Sequence, residues 1–266
     1  MGLFDKKTCD ICGEKIGLLG NRKVEDGNVC KDCAKKLSPF FSERRKSTLA
    51  DIREQLAYRE ANKSAVAAFR PTRTLGKGKQ VMIDEPGGTF MVTDGRKIAE
   101  ENPDVINLSA IRSCRYDVRE DRTELKRKDK DGKDISYSPP RYRYKYNFYI
   151  EISVDHPWFD QIRYQLNTVS IEVDDFGGVQ VFGGSGAGRK DNYEYKQYES
   201  LANDIVNALL LGSRNAMSNP APGSMGAPVP GPAPMPAQAQ LRTCQYCGAQ
   251  GIPDENGNCP ACGGAY

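Results

Sequence analysis

The stretch Tyr142-Arg143-Tyr144-Lys145-Tyr146-Asn147-Phe148-Tyr149-Ile150-Glu151-Ile152-Ser153-Val154 alternates along its whole length. Its even positions are aromatic or aliphatic, and its odd positions are mostly polar: Arg143, Lys145, Asn147, Glu151 and Ser153. Period two sustained so long predicts a strand with one buried and one wet face in an antiparallel sheet. The pattern recurs on both sides. Asn107 to Arg119 sets Cys114, Tyr116 and Val118 on alternating positions, and Asp129 to Asp134 makes a polar turn before the long strand. Upstream, Gln80 to Asp84 and Thr89 to Thr93 read as a hairpin joined by Glu85-Pro86-Gly87-Gly88. Downstream, Thr168 to Val173 is expected to place Val169, Ile171 and Val173 inside, and Gln180 to Phe182 to add a further strand.

A helix follows the strands. Tyr198, Leu201, Ala202, Ile205, Val206, Leu209 and Leu210 line one face at three- and four-residue spacings, with Gly212 placed as the C-cap. Many short antiparallel strands followed by one amphipathic helix predict a mainly β fold with some α. The expected form is a partly open antiparallel barrel over 71–212, one end closed by the helix because an open end would expose its core.

The cysteines carry the chemical information. Of the 9, eight form four C-x-x-C pairs. Cys9 and Cys12 with Cys30 and Cys33 make one quartet; Cys244 and Cys247 with Cys259 and Cys262 make another. Four soft thiolates in tetrahedral array suit Zn²⁺, and a small module with few apolar residues needs the metal as its core. Two structural zinc ions are expected. Iron is the alternative that spacing does not separate. Four sulfurs leave no position for water, so neither centre reads as catalytic. Each filled quartet carries a net −2, so two would take the formal charge from +3 to −1, and the apparent basicity vanishes.

Between Cys12 and Cys30, Ile16 to Val29 reads as a hairpin with Leu18 and Leu19 packed inside and turns at Gly20-Asn21 and Asp26-Gly27-Asn28. Ala34 to Leu37 continues as a short helix that Pro39 can end. Knuckle, hairpin, and knuckle at a helix start together form the pattern of a treble clef over 1–45. A connecting helix over 46–70 follows, capped by Ser47 or Thr48 with Asp51 as its acidic N3 residue. Its apolar stripe of Leu49, Ile52, Leu56, Val66 and Phe69 is interrupted by Arg59 and Lys63. Residues 213–242, rich in Pro, Ala, Gly and Met, have no periodicity and read as a disordered tether. The second quartet makes a minimal zinc ribbon over 243–266.

Other features have ordinary explanations. His156, the only histidine, sits with Trp158 in Asp155-His156-Pro157-Trp158-Phe159-Asp160, which reads as a turn with an aromatic anchor. Gly183 to Lys190 lacks the hydroxyl residue and parallel α/β context of a phosphate loop. Cys114 reads as a small buried hydrophobe. No nucleophile–base pair or open metal site appears, so no catalytic residue is assigned and an enzyme is not expected. No apolar run approaches membrane-spanning length, and the N-terminus shows no signal-peptide hydrophobic region, so the expected location is cytoplasmic.

The run Cys9-Asp10-Ile11-Cys12-Gly13, with Asn28-Val29-Cys30-Lys31-Asp32-Cys33-Ala34-Lys35-Lys36-Leu37-Ser38, resembles the treble-clef zinc domain of an uncharacterised bacterial family over about the first 45 residues. That resemblance implies Cys9, Cys12, Cys30 and Cys33 as zinc ligands and implies no activity. By strand order and closing helix, the middle domain is similar to bacterial pleckstrin-homology-like (PH-like) or GRAM-like domains, a group of lipid and protein binders. The C-terminal quartet resembles the small zinc ribbons appended to many prokaryotic proteins as interaction modules.

The expectation is a non-catalytic zinc-binding adaptor or scaffold with a protein partner. The first alternative is peripheral binding to an anionic membrane surface or polyanion through the basic strand face at Arg143 and Lys145. Contiguous positive charge there favours that alternative; interspersed acid favours the adaptor. Nucleic-acid binding through the zinc modules comes third, and no residue set points to a small-molecule substrate.

Overall fold

A computed structural model describes residues 7–175 and 192–218, together with the backbone of 242–243 and 250–251. The chain divides into two compact units, Met1–Gly226 and Ala227–Tyr266. In the second, β11 (Arg242–Thr243) pairs antiparallel with β12 (Gln250–Gly251). The expected strand at Gln180–Phe182, the Gly183–Lys190 loop and the quartet Cys244, Cys247, Cys259 and Cys262 lie outside the described residues.

The first unit begins with two short strands, β1 (Arg22–Lys23) and β2 (Asn28–Val29), then helices α1 (Lys31–Lys35) and α2 (Leu49–Ala68). Thr48 is the N-cap of α2: its Oγ1 accepts from the Asp51 N–H at 3.2 Å, and the Asp51 carboxylate accepts from the Thr48 N–H at 2.8 Å. A four-stranded antiparallel sheet follows, built from β3 (Arg73–Leu75), β4 (Gln80–Asp84), β5 (Thr89–Thr93) and β6 (Ile106–Asn107), with the short α3 (Ile98–Glu101) between the last two. The second sheet is organised by β7 (Ile111–Lys128) and β8 (Asp134–Val154). β9 (Gln161–Gln165) and β10 (Ile171–Asp175) share the other edge of β8. Helix α4 (Tyr193–Ser218) packs on β7, β8 and the turn Leu108–Ala110.

The fold is mostly β with helices. Among the described residues the two sheets are open, and no ladder joins them into a closed barrel. They share one core with α4, which includes Val81, Phe90, Phe148, Ile150, Ile205 and Leu209. The alternation of 142–154 holds: Tyr144, Tyr146, Phe148, Ile150, Ile152 and Val154 are buried, and Cys114 lies among the core residues. Burial pushes the Cys114 thiol up to about 12, which keeps it protonated and unreactive.

Four expectations are corrected. Leu18 and Leu19 do not pack inside their hairpin; they are 91 % and 87 % exposed, because the Gly17–Gly20 turn sets them outside the small cysteine core. Val169 is exposed as well. The chain turns a corner at the buried Asn167, whose amide takes ladder positions against β8, and strand geometry resumes only at Ile171. Asn167 Oδ1 accepts from the Phe148 N–H at 2.7 Å, and its Nδ2 donates to the carbonyls of Tyr146 at 3.0 Å and Val169 at 2.8 Å. Gly212 does not end the last helix, which runs through Ser218, so 213–218 are helix rather than tether. The glycine serves close approach instead: a Cβ there would lie 3.2 Å from both Leu108 methyls. Finally, Arg59 does not interrupt the packed face of α2; it is buried on it, along with Ile52, Gln55 and Asn62. No helix among the described residues is long and apolar enough to cross a membrane.

Candidate metal centre

The first knuckle is closed by backbone geometry. The Cys9 N–H donates to the Glu14 carbonyl at 2.9 Å, and the Gly13 N–H donates back to the Cys9 carbonyl at 2.8 Å. Gly13 sits at φ +76°, a left-handed conformation that glycine adopts without cost. The Asn28 N–H donates to the Asp10 carboxylate at 2.7 Å, tying the knuckle to β2. The second knuckle is the start of α1: Cys30 is the N-cap, and its Sγ accepts from the Cys33 N–H at 3.3 Å.

These two turns bring the sulfurs of Cys9, Cys12, Cys30 and Cys33 within 4.8 Å of one another. Cys12 and Cys30 are separated by 3.8 Å, far beyond a disulfide bond. A tetrahedral site with metal–sulfur bonds of about 2.3 Å has edges of about 3.8 Å, the Cys12–Cys30 separation, so the four sulfurs could hold one zinc ion. Cys9, Cys30 and Cys33 are buried with Val24, Val29, Leu37 and Ile52, the last contributed by α2.

The donor set also fits a cation electrostatically. Burial opposes the Cys9 thiolate, but the N–H groups of Cys12, Cys30 and Ile11 outweigh it and bring the thiol down to about 6. Burial and the neighbouring sulfurs push Cys33 up. At Cys12 the Glu14 N–H works to lower the thiol, yet desolvation and the sulfurs of Cys9 and Cys30 prevail and raise it. Four thiolates do not share so small a volume without a cation between them; a divalent ion removes the mutual repulsion that holds the protons on.

Behind the cluster lies a polar junction that the sequence did not disclose. Arg59 Nη1 meets the Asp104 carboxylate at 2.7 Å, and both side chains are almost wholly buried, at 7 % and 0 % exposure. Ser38 Oγ donates to the other Asp104 oxygen at 2.7 Å, and Arg59 Nε donates to the Lys36 carbonyl at 3.2 Å. Asn62 donates to the Asn102 side chain and the Pro103 carbonyl, both at 2.8 Å, and its Oδ1 accepts from the Val105 N–H. The available signal was spacing: Ile52, Gln55, Arg59 and Asn62 fall on one helical face.

His156 joins the same junction. Its Nδ1 accepts from the Trp158 N–H at 3.3 Å, so the neutral ring carries its proton on Nε2 and donates to Tyr58 Oη at 3.1 Å. The ring stacks on Phe159 at 4.0 Å, and Trp158 lies edge-on to Phe41 at 6.3 Å. Burial lowers the imidazole to about 4, against the pull of Asp104.

The strand face at Arg143 and Lys145 is interspersed with acid. Arg143 forms a two-pronged pair with Asp174 at 2.7 and 2.9 Å, holding that carboxyl below its usual range, and Lys145 meets Glu172 at 2.7 Å. A different basic feature lies elsewhere. A cleft of about 590 Å³ between the β3–β4 loop, the turn after β5 and the end of β9 is lined by Lys77, Lys79, Arg96 and Arg163, with Asp94 as the acid. Lys79 pairs with Asp94 at 3.2 Å, and Arg163 with Glu151 at 2.8 Å.

The family described as "Domain of unknown function (DUF4428)" matches residues 8–55. That span takes in the four cysteines and the part of α2 that packs on them through Ile52. No curated protein and no solved structure matches the chain.

Proposed function

We propose that the protein is a non-catalytic, zinc-binding adaptor whose N-terminal quartet holds one structural Zn²⁺ and whose folded surfaces engage a protein partner. The observation that carries it is the convergence of four sulfurs within 4.8 Å on a knuckle and a helix start, a complete tetrahedral donor set with no position left for water. The metal's role is then to fold the module. The interspersed acid around Arg143 and Lys145 supports the adaptor over a membrane-binding strand face. The likeness of the middle region to PH-like domains belongs to this proposal and is supported by two antiparallel sheets packed with a long helix. A second zinc in the C-terminal quartet, a ribbon on a tether that raises its local concentration at a second site, and a cytoplasmic location are part of the same proposal.

The basic cleft favours a second reading, in which the β unit binds an anionic group. Its lining cations outnumber the acid, and Arg96 has no ion pair among the described residues.

Native mass spectrometry of untagged protein from its source cytoplasm tests the adaptor. Zinc mass together with a stoichiometric protein partner is the expected result. Zinc without a partner overturns the adaptor and turns the question to the cleft. Absence of metal with disulfide-linked cysteines overturns the zinc centre itself.

A further inference from the structure

The most exposed large apolar side chains among the described residues are Leu18 and Leu19, adjacent to each other and 91 % and 87 % exposed. They occupy the tip of the loop Gly17–Gly20, closed by the Gly20 N–H donating to the Gly17 carbonyl at 2.9 Å. The base of the loop is fixed by the Ile16 N–H donating to the Lys7 carbonyl at 2.8 Å. Two neighbouring leucines held out in water by an ordered turn cost solvation free energy and contribute nothing to the fold. Such a patch marks a contact surface.

The surroundings specify the contact. Arg22 Nη1 donates to the Leu19 carbonyl at 3.0 Å, so a guanidinium sits against the tip itself. The turn Arg44–Lys46 packs beside β1, with Arg44 Nη1 donating to the Lys23 carbonyl at 2.7 Å. Arg22, Arg44 and Arg45 lie close enough that, after burial, the other two charges weigh against the Arg44 cation. With Lys15, Lys23 and Lys46, the loop and its flank hold six cations. The acids in those segments are Glu14 and Glu43, and Glu43 is taken up by Lys46 at 3.0 Å. Glu25 lies just past β1 with its N–H donating to the Ser47 carbonyl at 2.9 Å, beside the Arg44–Lys46 turn, so the flank sets six cations against three acids; Asp26, next to it, accepts from the Leu49 N–H.

We infer that the Leu18–Leu19 tip inserts into an anionic lipid bilayer surface, with Arg22, Lys23, Arg44 and Arg45 pairing with the headgroups around it. An apolar tip with one guanidinium against it and further cations along its flank matches a surface that offers acyl chains beneath negative charge. A protein partner of ordinary composition would call for apolar anchors with a mixed-charge rim. Insertion uses the zinc module and leaves the adaptor surfaces of the β unit free, so it stands or falls independently of the partner experiment.

The test is co-sedimentation of the full, zinc-loaded chain with phosphatidylcholine vesicles containing about 30 mol % phosphatidylglycerol, against phosphatidylcholine alone. Binding to the anionic vesicles, weakened by raising salt above about 0.1 M, is expected. Leu18→Ser with Leu19→Ser should reduce it at least about tenfold, since each buried apolar carbon counts toward membrane affinity. Arg45→Ala should cost about fivefold, the contribution of one cation near an anionic surface. These side chains are exposed, so folding and zinc content stay as in the wild type, which metal analysis verifies. Leu19→Trp adds a positive readout: a blue-shifted emission on anionic vesicles beyond that of the native Trp158. No sedimentation with the anionic vesicles overturns the proposal. So does undiminished binding of the double serine variant, which would place the membrane contact elsewhere. Loss of a cross-linked protein in that variant without vesicle binding would overturn it too and assign the tip to a protein interface.

Discussion

Asp104→Asn isolates the buried ion pair that joins the cysteine module to the β unit. Asp104 is fully buried, with Arg59 on one carboxylate oxygen and Ser38 on the other, each at 2.7 Å. The amide keeps the size of the side chain and removes its charge, leaving the buried guanidinium of Arg59 uncompensated. Breaking a buried pair from one side costs about 3–5 kcal/mol. Arg59 retains the carbonyls of Lys36 and Glu101 at 3.2 and 3.5 Å, which places the cost near the lower end, about 3 kcal/mol. With a urea dependence of about 2 kcal/mol per molar, the unfolding midpoint should fall by about 1.5 M. Trp158 is the only tryptophan and sits in this junction beside Phe41, so its emission reports the transition directly. Arg59→Met with Asp104→Leu removes both charges and should recover most of the loss, since apolar residues of similar volume replace buried pairs at little cost. A loss below about 1 kcal/mol in the single variant would refute the assignment, because that is the scale of an exposed pair.

Two further expectations follow from neighbouring groups. His156 is lowered from 6.5 to about 4 by burial, so the unfolded chain takes up this proton first and stability falls as pH drops from about 6.5 toward 4; it does not fall above that window. Because this is the only histidine, its imidazole NMR titration is unambiguous, and a midpoint near 6.5 would contradict the buried, neutral ring. Asn167→Ala removes a side chain bonded to three backbone groups of β8 and its neighbouring turn and should cost about 2–3 kcal/mol, read as a lowered urea midpoint. Proton exchange at the Phe148 amide should quicken in the same variant, and unchanged exchange would show that the ladder does not depend on Asn167.

The sheet was legible because alternation is a local property. From Tyr144 to Val154 each even position is buried as the period demands, and the turn at Asp129–Asp134 closes as its composition suggests, with the Asp129 N–H donating to the Lys133 carbonyl at 2.9 Å. The cysteine spacing was legible for a similar reason: two C-x-x-C turns each fix a pair, and the hairpin between them supplies the approach. What failed were positions whose role is set by partners far along the chain. Val169 followed the right period, but Asn167 had already bent the strand. Gly212 looked like a helix stop, yet it is the place where Leu108 comes against the helix. Leu18 and Leu19 are apolar and so read as inward-facing, yet a cysteine core this small has no room for them.

Arg59 is the most instructive of these, because its burial changes how the cysteine module is joined to the rest of the fold. Read alone, the stripe on α2 is broken at Arg59 and the helix looks like a spacer. In the fold, Arg59 reaches the carbonyl of Lys36 just past α1 and the carboxylate of Asp104 just before β6, while Asn62 and Asn102 lock α2 to the same segment. The chain from Cys30 to Ser38 is therefore held at one end by the cysteine cluster and at the other by Ser38 on Asp104. Ile52 adds an apolar anchor between α2 and the cluster, and Arg53 donates to the Asp10 carbonyl at 3.1 Å. A spacer helix would let the module pivot, since few contacts would oppose rotation about its ends. Here rotation would have to break a buried ion pair and several buried amide hydrogen bonds at once, each costly to leave unmade. The cysteine module is thus built into the framework of the β unit through the junction at which Arg59 and Asp104 meet.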